Sequence, residues 1–175
     1  YIYPENFSAS VQTQLAQTPL ILDLFSNLFE IYPFHNEKYG HAQFGWGGGM
    51  EHTTVSFMNN FDRSLIAHEM GHQWFGDKIT CGSWKDIWLN EGFARFMEFK
   101  AVEHIFPEWN IWQQFLYSVQ GLAFDRDAMS TTHPVEQTVR HPKEIDAMFD
   151  VISYAKGASV LRMLHEWLGA DTFMK

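Results

Sequence analysis

The chain has 175 residues, 46% hydrophobic and 17% aromatic, which suits one globular domain with its own core. A net charge of −9 with no basic stripe argues against a nucleic-acid partner, and no apolar run approaches the roughly 18 residues of a transmembrane span. The single cysteine, Cys81, rules out an internal disulfide framework and reads as a small buried hydrophobe.

Sixteen Phe and seven Trp exceed what a core of this size needs, so part of that surface is expected to face a substrate groove or a neighbouring domain. The chain starts at Tyr1 without an initiator Met or a visible signal peptide. It is therefore expected to be part of a longer protein and to pack against other domains of that parent.

In chain order, Leu15, Leu20, Leu22, Leu24, Phe25, Leu28 and Phe29 predict helix over Ser10–Phe34, broken or restarted at Pro19 and ending before Pro33. Residues 41–58 are glycine-rich and then alternate from Thr53 to Phe57, which predicts a loop entering a strand. Asp62 or Ser64 can cap the next helix, with Gly76 as its stop. Further helices are expected at 89–105, ending before Pro107, at 108–122, and at 151–168, stopped by Gly169. No repeats or linkers interrupt the chain, so residues 1–175 read as a single α+β domain, predominantly helical, with a small sheet near its start.

Residues His68-Glu69-Met70-Gly71-His72 carry the chemistry. Four residues apart on a helix, His68 and His72 share a face and can grip one zinc ion together. Glu69, offset around the helix, can take a proton from an activated water. The apolar flanks, Leu65, Ile66, Ala67, Trp74 and Phe75, argue that these histidines are partly buried, and buried imidazoles need partners.

Glu91, nineteen residues after His72, stands in the first turn of the 89–105 helix, where its carboxylate can approach a metal held by the neighbouring helix. Two histidines and a glutamate with an open position form a hydrolytic zinc site. The three-histidine version is excluded, because it needs Gly at 75 and His at 78 where this chain has Phe75 and Lys78. Glu98, two turns along the same face, can orient a ligand histidine or pair with a nearby Arg or Lys.

Four segments, Gly48-Gly49-Met50-Glu51-His52, His68 to Gly76, Trp88-Leu89-Asn90-Glu91-Gly92-Phe93-Ala94 and Tyr154-Ala155-Lys156-Gly157, stand in the order found in the aminopeptidase N-type zinc metallopeptidases. The chain resembles that gluzincin family from about residue 10 to its end. The resemblance implies a thermolysin-like catalytic domain and zinc bound by His68, His72 and Glu91. It implies Glu69 as general base and Tyr154 as donor to the oxyanion. It also implies peptide substrates whose free α-amine is bound by Glu51 beside Gly48 and Gly49. Without it, Tyr154 reads as a packing residue and Gly48-Gly49 as a turn.

One letter departs from the family pattern: His52 stands where the family has Asn, and a titratable ring there is expected to alter pH dependence. Two other functions stay open at this level. One is a relative of the same family that opens lipid epoxides as well as cleaving peptides; the other is a non-catalytic peptide-binding domain.

Overall fold

The computed structural model describes residues 1–174 and is mainly helical, with one three-stranded sheet. Helices α1 (Ala9–Leu15) and α2 (Thr18–Leu28) open the chain. The expected helix over Ser10–Phe34 is thus two, broken at Ala16–Gln17 and restarted with Pro19 in the first turn of α2. Pro19 lies in the first turn of α2, where its missing N–H leaves no hydrogen bond unmade. The helix then stops at Leu28, short of Pro33.

The sheet has the order β1 (Gly40–Gln43), β3 (Val55–Met58), β2 (Gly49–Met50), with β1 parallel and β2 antiparallel to β3. Only β3 was expected, over Thr53–Phe57. The other two strands have four and two residues, too short and too rich in Gly to show alternation. Within β3 the buried positions are Ser56 and Met58, and the Ser56 hydroxyl is satisfied by Tyr39 at 2.8 Å.

Helix α3 (Arg63–Gly71) begins where Asp62 Oδ1 accepts the amide of Ser64, so Asp62 is the cap. It ends at Gly71, five residues before the expected stop at Gly76, but His72 N still donates to His68 O at 3.2 Å and keeps the two rings one turn apart. Helix α4 (Ile87–Ile105) packs along α3 and starts two residues before the expected boundary, which puts Glu91 in its second turn rather than its first.

A left-handed Asn110 precedes a helical run of α5 (Ile111–Phe115), a π-helical stretch (Leu116–Gly121) and α6 (Leu122–Asp127), later and longer than the expected 108–122. A π-helical segment, Ile152–Lys156, leads into α7 (Gly157–Leu168), and α8 (Ala170–Phe173) follows. No described helix is long and apolar enough to cross a membrane.

Phe25, Ile66, Met70, Trp74, Phe96, Met97 and Phe115 form the centre of the core, each contributing about 1.5–3 kcal/mol through burial. Phe25 meets Trp74 edge-on, with centroids 5.9 Å apart. One close crossing bears on the site. A side chain on Gly92 of α4 would place its Cβ 3.0 Å from the Gly157 carbonyl carbon. The two backbones touch there because both residues are glycine, and that contact brings the neighbours Glu91 and Tyr154 to the same cleft.

Candidate active site

Helices α3 and α4 bring three donor atoms face to face. His68 Nε2 and His72 Nε2 lie 3.1 Å apart, and Glu91 Oε2 lies 3.4 and 3.3 Å from them. All three side chains are buried, and Glu91 Oε2 makes no hydrogen bond of acceptable geometry. A tetrahedral ion with bonds of roughly 2.0–2.1 Å needs donors about 3.3 Å apart. The triangle therefore fits one face of such a site, and these residues form the metal-competent cluster among the described residues.

The far side of each imidazole is fixed. His68 Nδ1 donates to Glu98 Oε1 at 2.7 Å, and Arg95 donates to Glu98 Oε2 at 2.6 Å, so Glu98 both orients the histidine and pairs with an arginine. His72 Nδ1 donates to the Phe75 carbonyl at 3.0 Å. Each ring therefore turns Nε2 toward Glu91. Burial opposes a charged His68, but Glu91 and Glu98 outweigh it and push its pKa up to about 10; burial opposes a charged His72 too, and Glu91 outweighs it there and raises its pKa. Burial would likewise raise Glu91, yet the two imidazoles hold it well below the usual carboxylate range. A cation bound here would compete with protons for the same donor atoms.

Glu69 lies on α3 between the histidines, and its Oε2 is buried without a hydrogen-bond partner. Burial pushes its pKa up to about 7, against the pull of His68 and His72. The backbone of β2 lies directly against its carboxylate, where any side chain on Gly49 would overlap Glu69 Oε1. Gly48, at φ 76, takes the left-handed turn that makes this approach.

Glu51 follows β2 and lines the cleft with Gly49 and Glu91. Gln73 anchors this strand end: its amide donates to Glu51 O at 3.1 Å, and its Oε1 accepts from Thr54 N at 2.9 Å and Tyr32 OH at 3.2 Å. That bond holds Thr54 at φ 69, a costly conformation for a β-branched residue. Sequence reasoning did not single out Gln73; a glutamine among the buried aromatics of an apolar stretch was its only local signal.

Tyr154 comes from the π-helical segment and stacks on His68, with ring centroids 5.9 Å apart and planes 11° from parallel. Burial first, then the charge of Glu91, raises its pKa far above the ordinary tyrosine value, so the hydroxyl stays protonated and able to donate. Gly48, Gly49, Glu51, His68, Glu69, His72, Glu91, Arg95, Glu98 and Tyr154 thus gather at one cleft. It adjoins a second, of about 740 Å³, walled by Asp77, Cys81, Trp84 and Phe149.

Two expectations shift. Cys81 is only partly buried and lines this second cleft, rather than filling the core. His52 is exposed, with its ring edge-on to Phe57 at 5.0 Å, and it does not line either cleft.

The chain is 49% identical over 111 residues to a leucyl aminopeptidase of Saccharolobus solfataricus, covering 63% of this chain and 14% of that protein. It is 53% identical over 110 residues to aminopeptidase M1-D of Oryza sativa (63% and 12%) and 50% identical over 112 residues to aminopeptidase M1 of Arabidopsis thaliana (64% and 13%). The chain therefore spans only a small part of the length of the curated relatives it matches. Residues 50–175 match the Peptidase family M1 domain, and the chain belongs to that family.

Proposed function

We propose that residues 1–175 form a thermolysin-like catalytic domain, or most of one, and that it removes N-terminal residues from peptides with zinc held by His68, His72 and Glu91. The observation that carries this reading is the buried triangle of His68, His72 and Glu91 donor atoms beside Glu69, Glu51 and Tyr154. Zinc bound there would polarise the scissile carbonyl and make water a stronger acid.

The chain's own groups supply the rest. Glu69 takes a proton from the attacking water and returns it to the departing amine. The Tyr154 hydroxyl donates to the carbonyl oxygen as negative charge develops on it. Glu51 receives the α-ammonium and sets its distance from the first peptide bond, so residues leave singly. Gly48 and Gly49 let the substrate backbone approach, since no side chain intervenes. The relatives' greater length supports further domains packed against this one in the parent protein. All three of these relatives are named aminopeptidases, and no observation favours the epoxide-opening or non-catalytic readings.

The test compares hydrolysis of an aminoacyl fluorogenic amide with that of its N-acetylated analogue, each with and without a chelator. Cleavage of the free amine alone, abolished by chelation and restored by zinc, is expected. Equal rates on both substrates would defeat the aminopeptidase reading.

A further inference from the structure

The segment carrying Tyr154 is held from outside by residues that line neither cleft. Asp150, just before it, makes three hydrogen bonds to this segment. Its backbone oxygen accepts from Tyr154 N at 3.1 Å, and its Oδ1 accepts from Ile152 N at 2.9 Å and Ser153 N at 3.1 Å. These are the leading amides of a helical segment, which have no partners within it. The other carboxylate oxygen, Oδ2, lies 2.9 Å from His133 Nε2, and His133 Nδ1 lies 2.8 Å from the Pro134 carbonyl. Both side chains are mostly shielded, at 15% and 23% exposure, so the contact is stronger than a surface pair.

The far end of the same segment is tied to the same stretch of chain. Lys156 Nζ reaches Asp127 Oδ1 at 2.7 Å, and Thr132, next to His133, donates to that oxygen at 2.7 Å. Residues 127–133 are thus fastened to both ends of the five-residue π-helical segment. Such segments are rare and recur at functional sites. The buried Ser153 hydroxyl finds no partner within it. Its geometry therefore depends on these outside contacts.

We propose that His133 is a positioning residue for Tyr154, acting through Asp150. His133 fixes the carboxylate rotamer, the carboxylate fixes the first turn, and the turn sets where the Tyr154 hydroxyl stands. This inference rests on Tyr154 being the oxyanion donor of the proposed function.

The test uses His133→Phe, which keeps a ring and removes both nitrogens, with Asp150→Ala, Asp150→Asn and Tyr154→Phe, all in the intact protein. His133→Phe and Asp150→Ala are expected to lower kcat about tenfold with KM within about twofold, since small misplacements are costly at the reacting centre. Asp150→Asn is expected to recover most of that loss. Its Oδ1 keeps both amide bonds, and its Nδ2 can donate to Nε2 of a neutral His133 whose Nδ1 still donates to Pro134. In a Tyr154→Phe background, His133→Phe should lower kcat no further, because the two changes act through one group. Hydrogen exchange at the Ile152 and Ser153 amides should quicken in His133→Phe.

Wild-type kcat in His133→Phe, or an equal loss with and without the Tyr154 hydroxyl, would overturn the proposal. If Tyr154→Phe itself keeps full turnover, the reading of Tyr154 as oxyanion donor falls instead. Exchange at Ile152 and Ser153 then decides the anchoring on its own: faster exchange supports it and unchanged exchange refutes it.

Discussion

Glu98 holds His68 by its Nδ1 proton at 2.7 Å while Arg95 holds the other Glu98 oxygen at 2.6 Å. The carboxylate is buried, so its orientation is set by these two partners rather than by water. Removing it frees the imidazole to rotate and lowers its basicity at Nε2. Glu98→Ala should weaken zinc affinity about 10–100-fold, read by competition with a chelator of known strength. Unchanged affinity would show that His68 is oriented by packing alone.

Glu51 presents the acidic group expected to meet a substrate ammonium, and Gln73 fixes the backbone from which it projects. A hydrogen bond to a charged group contributes about 1.5–3 kcal/mol, or roughly 10–100-fold in kcat/KM. Glu51→Ala should cost that much on aminoacyl amides and narrow the gap to N-acetylated amides. Preserved discrimination between the two substrates would place amine recognition elsewhere.

Tyr154 stacks on His68 and keeps its proton under the combined effect of burial and Glu91. Tyr154→Phe removes one oxygen and leaves the ring in place. A fall in kcat of roughly 10²-fold or more is expected, the scale of a lost oxyanion donor, with zinc content unchanged. Near-normal turnover in this variant would remove the hydroxyl from the mechanism.

The parts of this site that were legible in the sequence are those set by local spacing. His68 and His72 are one turn apart on one helix, whereas Tyr154 and Gly48-Gly49 were read as site residues only through the family resemblance. Among groups whose partners come from elsewhere in the chain, Glu98 was expected to reach a ligand histidine, but others were not legible. Gln73 bonds to Tyr32, Glu51 and Thr54, and His133 to Asp150, none of them neighbours in sequence. Strands β1 and β2 were missed for a related reason. Gly40–Gln43 and Gly49–Met50 are extended only because Val55–Met58 lies between them, not through any pattern of their own. The restart of the first helix at Pro19 was legible, because a proline in the first turn marks the start of α2.

The crossing at Gly92 and Gly157 leaves no room for a side chain, since a Cβ on Gly92 would also lie 3.2 Å from Ala158 N. Gly92→Val must therefore push α4 away from the segment leading into α7. Overpacking of this kind costs about 1–3 kcal/mol, so a lower melting temperature is expected. Because Glu91 and Tyr154 flank the crossing, zinc affinity should fall as well. A stable Gly92→Val protein with full affinity would mean the helices shift without disturbing the ligands.

His41 offers a test of stability outside the candidate site. Its ring lies between Tyr39 and Phe61, with Nε2 3.1 Å from the Thr18 hydroxyl and Nδ1 buried without a partner. Burial lowers its pKa from the ordinary histidine value of 6.5 to about 4. The folded chain therefore resists protonation that the unfolded chain accepts between these values. The unfolded state binds the extra proton in that window, so this contribution is intact above about pH 6.5 and is lost progressively as pH falls toward about 4. His41→Gln keeps a polar side chain but does not titrate. Urea unfolding at a series of pH values should show stability falling less steeply across this window in the variant than in the parent. Parallel curves for the two proteins would mean that His41 takes up its proton in the folded state without penalty.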